Sequence, residues 1–140
     1  MSVGRICSRV VYTATADETA QAAAARMREH GVGALVLVDA GGRPTGLVTD
    51  RDLALRLVAE GRDPQRTTVG DMATTPLATV VADASIESAL ATMRARRVRR
   101  LPVVDGAGGL LGIFALDDVL ELLAEEFGLI GGVLAGQAPR

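Results

Sequence analysis

Tryptophan is absent, one tyrosine and two phenylalanines are the only aromatics, and the chain has a single cysteine and a single histidine. With 2% aromatic residues there is no stacking platform of the kind that single-stranded nucleic acid needs. Cys7 alone closes no internal disulfide, which fits a reducing cytoplasm, and its expected role is that of a small buried hydrophobe. Charge of one sign is also missing. A net charge of −2 and a pI near 5.4 give no general pull toward nucleic acid or anionic membrane. No apolar run approaches the roughly 20 residues of a membrane span, and Arg5 and Arg9 interrupt any signal-peptide core at the N-terminus. No Ser/His/Asp, Cys/His or paired-carboxylate constellation is visible, so no catalytic residues are expected and the chain reads as a non-enzyme.

What is present is a globular composition, 49% hydrophobic over 140 residues and built from alanine, valine and leucine. The dominant feature is an internal repeat. Shifted by 66 residues, so that Asp17 falls on Asp83, the chain meets itself without a gap. Val3-Gly4 then meets Val69-Gly70, Met27-Arg28 meets Met93-Arg94, Val38-Asp39 meets Val104-Asp105, and Asp52 meets Asp118. Two half-domains must therefore share a core. Their bounds are 3–61 and 69–127, with an ordered connector at 62–68 and a tail at 128–140.

Within each copy the pattern alternates strand and helix. Val10-Val11-Tyr12 reads as a short strand. Thr19 starts a helix whose apolar line is Ala20, Ala23, Ala24 and Met27, and Gly31 ends it. Leu35 to Val38 is wholly apolar and reads as a buried strand, and Pro44 to Val48 returns beside it. A helix is expected from Asp50 to Glu60. The last helix carries Leu120, Leu123, Ala124 and Phe127 and ends before Gly128, leaving a frayed or dimer-packed tail.

The stretch Gly46-Leu47-Val48-Thr49-Asp50-Arg51-Asp52-Leu53 carries the candidate chemistry. A hydroxyl at Thr49 and a carboxylate at Asp52 share one face of a strand-to-helix turn. A carboxylate accepts from vicinal diol hydroxyls, and a helix start faces anions. The plainer reading is that Thr49 caps the helix and Asp52 offsets its dipole.

This architecture resembles the cystathionine-β-synthase (CBS) domain, present twice. The resemblance rests on Leu35-Val36-Leu37-Val38-Asp39 followed by Gly46 to Asp52, and on Arg97 to Asp105 followed by Gly112-Ile113-Phe114-Ala115-Leu116-Asp117-Asp118. It covers residues 3 to about 125 and is similar to small stand-alone bacterial tandem-CBS proteins. It implies an α/β (α+β) fold in which each repeat is a small three-stranded sheet with two helices, packed with pseudo-twofold symmetry. It further implies a regulatory ligand in the clefts between repeats: AMP, ADP, ATP, S-adenosylmethionine or NAD. Thr49 and Asp52 would form the first site, with Val11, Val32 and Val36 as adenine walls. The second keeps Asp118 but has Ala115 in place of the hydroxyl, and Pro102 is a further ligand-binding candidate. The resemblance also implies a homodimer, covered through the alanine-rich helix faces, that signals to a separate effector protein.

Arg94, Arg96, Arg97, Arg99 and Arg100 place five guanidinium groups within seven residues. Part of the cluster offsets a helix C-terminus, and Arg97, Arg99 and Arg100 are left near the cleft entrance as phosphate forks. Nucleic-acid binding through this cluster is the remoter alternative, and a ligand-free dimeric scaffold the nearer one. Asp50, Asp52, Asp117 and Asp118 are common helix-start carboxylates, so no metal site is assigned. His30 is expected to be a solvated cap. Gly106 to Gly112 joins strand to strand and opens no helix, which makes it a hairpin rather than a dinucleotide loop.

Overall fold

The computed structural model describes residues 1–137, and the 66-residue repeat reappears in it strand by strand. Each copy forms a three-stranded sheet. In the first, β1 (Thr13–Ala14) is parallel to β2 (Ala34–Val38), and β2 is antiparallel to β3 (Pro44–Thr49). The second sheet repeats the order with β4 (Val80–Val81), β5 (Arg100–Val104) and β6 (Leu110–Ala115). The register shift between Leu37 and Val38 recurs between Val103 and Val104.

Hydroxyl caps start the two main helices. The Thr19 side chain accepts from the Ala22 N–H at 3.1 Å to open α2 (Ala20–His30), and Ser85 does the same for Ser88 at 3.1 Å to open α5 (Ile86–Arg96). Both end on a left-handed residue, Gly31 in one and Arg97 in the other. Their small faces point inward: Ala20, Ala23 and Met27 are buried in the first core, Ala89 and Met93 in the second. The expectation that this alanine line is a surface in need of cover is therefore corrected, because it is what lets the helix sit close on its own sheet.

The cores are exchanged between repeats. The short helix α1 (Val3–Ile6) opens the first copy, yet Val3 is buried among Leu101, Val103 and Phe114 of the second. Its counterpart α4 (Val69–Met72) puts Val69 and Met72 into the first core with Leu35, Leu37 and Val48. Backbone hydrogen bonds fix each exchange. Gly4 N–H donates to the Ala82 carbonyl at 2.8 Å, and Gly70 N–H to Ala16 at 2.9 Å. Ser8 pairs with Ile113 at the edge of β6, and Thr74 with Leu47 at the edge of β3. Each sheet thus gains a cover and an edge partner from the other copy, which removes an exposed edge and ties the halves together. The connector is ordered: Thr67 is buried, and its carbonyl accepts from the Ala20 N–H at 2.8 Å.

Three expected elements differ. The first strand begins at Thr13 rather than Val10; Tyr12 lends only its carbonyl, to the Val36 N–H at 3.0 Å. The helix after β3 is α3 (Asp50–Asp52) continued by a π-helical stretch, Leu53–Val58, in which the Ala59 N–H reaches back five residues to Ala54 at 2.9 Å. That wider turn accommodates Leu57 in the core while Arg56 donates to the Met72 carbonyl at 3.1 Å. Finally, α6 (Leu116–Gly136) runs through Gly128 and well into the expected tail. Residues 138–140 of that tail lie outside the described part. Among the described residues, no helix is long and apolar enough to cross a membrane.

Candidate functional site

The turn between β3 and α3 is a reciprocal cap. The Thr49 hydroxyl accepts from the Asp52 N–H at 3.1 Å, and Asp52 Oδ2 accepts from the Thr49 N–H at 2.9 Å. Asp52 Oδ1 is left with Arg56 Nε at 3.8 Å, in a side chain 15% exposed. The capping role and an acceptor role are thus carried by different oxygens of one carboxylate. At the equivalent turn Asp118 Oδ2 accepts from the Ala115 N–H at 2.7 Å, but no hydroxyl returns the bond. Each turn is pinned to a helix exit: Asp50 N–H to the Gly33 carbonyl and Leu116 N–H to the Arg99 carbonyl, both at 2.9 Å.

Two clefts are lined by residues of both repeats. The first, about 660 Å3, joins Thr49 and Asp52 to the Thr74–Ala78 segment and to Arg96–Arg100. The second, about 240 Å3, joins Ala115 and Asp118 to Val11, Val32 and Val36. Each cleft therefore takes its turn from one repeat and its apolar wall from the other. The expected grouping of Val11, Val32 and Val36 with Thr49 and Asp52 is corrected: those valines face Asp118, and Leu77 and Val98 hold the same places beside Asp52. The crossed packing of the halves is the cause. Pro102, expected among the ligand-binding residues, is fully buried opposite Ile113 in the sheet and lines neither cleft.

The arginine cluster and the first turn meet. Arg97, Arg99 and Arg100 line the first cleft with Arg51 and Arg96, against the carboxylates of Asp50 and Asp52. Arg100 also lines the second cleft. Arg99 lies 3.7 Å from Asp117, but both side chains are 72% exposed, so the pair binds weakly and leaves the guanidinium available. Arg97 holds φ at +56°, where the other repeat uses Gly31 at +64°. A left-handed arginine at a cleft mouth is a strained residue held where it faces the site.

The second cleft differs in kind. One cation, Arg100, and one carboxylate, Asp118, line it. Tyr12, on its wall, stacks on His30 with ring centroids 3.9 Å apart and planes 13° from parallel, so His30 is an aromatic partner rather than a free cap. Cys7 packs half-buried against the second core, and burial, aided by Asp118 and opposed by Arg9, pushes its thiol up. A raised thiol is a poor nucleophile.

The residues missed in the sequence were Leu77, Val98, Arg51 and the Thr74–Pro76 stretch. The repeat held the signal for two of them, since Leu77 and Val98 stand at the offset positions of Val11 and Val32.

Comparison with known proteins gives two matches to the CBS domain, over residues 3–59 and 69–125. "Uncharacterized protein MK0525" of Methanopyrus kandleri is 38% identical over 122 residues, 87% of this chain and 62% of the relative, so the chain spans under two thirds of that relative's length. The CBS domain-containing protein YhcV of Bacillus subtilis is 42% identical over 109 residues, covering 78% of this chain and 76% of the relative. Hypoxic response protein 1 of Mycobacterium tuberculosis is 40% identical over 109 residues, 78% of this chain and 76% of that protein. A crystal structure of Hypoxic Response Protein I with two coordinated zinc ions has a TM-score of 0.77 at 36% identity, over 86% of this chain and 98% of that one. In the present chain, among the described residues, no three His, Cys, Asp or Glu side chains gather as metal ligands.

Proposed function

The chain belongs to the CBS-domain family, as a tandem pair, and we propose that it is a regulatory module whose first cleft binds an adenine nucleotide and whose response passes to a separate effector protein. The observation that carries this reading is the meeting of one half-free carboxylate and an arginine cluster in a single cleft. Asp52 Oδ1 suits the ribose diol, Leu77 and Val98 suit the faces of the base, and Arg97, Arg99 and Arg100 suit a phosphate chain. A volume of about 660 Å3 lies within the range of small-molecule sites, roughly 300–1,000 Å3. The second cleft, at about 240 Å3, lies below it.

The charge around the first cleft favours AMP, ADP, ATP or NAD over S-adenosylmethionine, whose sulfonium would meet five arginines and two carboxylates. A nucleotide there touches both repeats at once. It would shift the population toward one mutual arrangement of the halves, to the extent that it binds that arrangement more tightly.

The test is thermal unfolding of ligand-stripped protein against AMP, ADP, ATP, NAD and S-adenosylmethionine. A ligand at 100 times its Kd adds about 2.7 kcal/mol, and each kcal/mol raises the midpoint by roughly 2–4 °C at this size. A selective rise with the phosphate-bearing ligands supports the reading. A flat panel overturns it in favour of a ligand-free scaffold.

A further inference from the structure

We infer that the C-terminal half of α6 is a coiled-coil seam that pairs, in parallel, with the same helix of a second copy of this chain. The inference is independent of the nucleotide reading. Leu120, Leu123, Phe127, Ile130 and Leu134 follow one another at alternating spacings of three and four, the a/d pattern of a heptad, along about 21 Å of helix. The first turns of α6 are anchored on the molecule's own second core through Val119. From Leu123 to Gly136 every residue is exposed, with Phe127 at 69% and Leu134 at 65%. A row of this kind is not left in water by a stable monomer.

Glycine points the same way. Gly128, Gly131 and Gly132 lie inside the helix, and glycine is among the poorest helix formers. An arm that remains helical through three glycines, with nothing among the described residues within 4 Å of a Cβ placed on any of them, takes its stability from packing on another surface.

Charge selects the occupant. Taking Leu120, Phe127 and Leu134 as a positions, Glu121 and Glu125 fall at b and f, away from the seam. The e positions are Asp117, Ala124 and Gly131. In a parallel pair Glu126, at g, faces Gly131 of the other copy rather than another carboxylate. In an antiparallel pair centred on Phe127 the two Glu126 side chains would face each other. The seam is thus self-complementary and uncharged, with no e/g charge pattern to select a different partner. An anionic membrane surface is disfavoured, because the polar face of α6 is acidic and holds no lysine or arginine.

Sedimentation velocity over a micromolar concentration series should give the wild-type chain about twice its 14.5 kDa mass. Phe127→Glu and Ile130→Glu, at exposed positions outside both cores, should keep the circular dichroism of the fold and weaken the dimer by about 30-fold or more. In a Cys7→Ala background, Leu134→Cys should form a self-disulfide under mild oxidation, since a positions meet their own copies only in a parallel pair. A wild-type monomer, a dimer unmoved by both glutamates, a dimer in which Leu134→Cys does not cross-link, or a monomer recruited to phosphatidylglycerol vesicles would each overturn the inference.

Discussion

Thr49 and Asp52 each satisfy the other's backbone N–H, at 3.1 and 2.9 Å, and this leaves Asp52 Oδ1 outside the cap. Asp52→Asn separates the two roles. An amide oxygen can still accept from Thr49, so stability should fall by no more than about 1 kcal/mol. A ribose diol loses a charged acceptor, and nucleotide affinity should drop by about 10-fold or more. Urea midpoints and titration calorimetry on the same variant read the two effects separately. Equal affinity in wild type and variant would remove Asp52 from the site.

Arg97 occupies a left-handed position that glycine fills in the other repeat. Relief of its Cβ strain, about 1–2 kcal/mol, outweighs the added freedom of the unfolded chain, about 0.4–1 kcal/mol. Arg97→Gly should therefore raise stability by up to about 1.5 kcal/mol while weakening ATP binding, a stability gain coupled to a functional loss. A variant that is both less stable and equally good at binding would show that the arginine is structural.

The parts of the molecule set by local rules were legible in the sequence. Thr19 and Gly31 bracket α2 as their capping chemistry requires, and Leu35 to Leu37 are buried as a continuous apolar run implies. The partner of each segment was not legible, because hydrophobicity says that Val3 is buried but not which repeat buries it. That ambiguity sent Val11, Val32 and Val36 to the wrong cleft. The end of α6 was hidden for another reason: Gly128 argues locally for a stop, whereas the structure carries the apolar row past it.

The exchanged segments make some glycines unequal. A Cβ on Gly112 would overlap the Ser8 carbonyl oxygen of the incoming segment, whereas one on Gly46 would meet the Ala73 Cβ at 3.2 Å. Backbone held by the Ser8–Ile113 pair yields less readily than a methyl group. Gly112→Ala should cost about 1–3 kcal/mol, and Gly46→Ala less. Denaturant titration of both variants checks the order; equal losses would mean that the Ser8 strand edge moves freely.

Acid should loosen the first repeat at one identifiable pair. Glu18 accepts from Arg26 at 2.5 and 3.0 Å and from the Thr15 N–H at 2.8 Å. The Arg26 hydrogen bonds, more than Thr15, hold its carboxyl below the ordinary 4.5, against the opposing pull of burial. A depressed folded value means that the stabilisation is complete above the unfolded value and is lost as pH falls through the folded one. The stability gap between wild type and Glu18→Gln should stay level from neutral pH down toward 4.5 and close below it. A gap that persists unchanged in acid would assign the effect to packing.

Arg100 is the one residue of the cluster that lines both clefts, and the first repeat has Ala34 at the matching place, so the repeat supplies no second cation there. One guanidinium donates a full fork to one phosphate group at a time. If anionic ligands enter both clefts, the first to bind takes Arg100 and the second binds without it, which makes the affinities unequal even where the pockets are otherwise alike. Titration calorimetry with ADP should then resolve two unequal steps in the wild-type chain. Arg100→Ala should weaken the tighter step most and bring the two together, whereas Arg99→Ala, on the rim of the first cleft, should weaken that step without touching the other. Two equal steps in the wild type, or loss of both steps in proportion in Arg100→Ala, would show that the clefts do not compete for this side chain; a single step would mean that the second cleft, at about 240 Å3, is left unfilled.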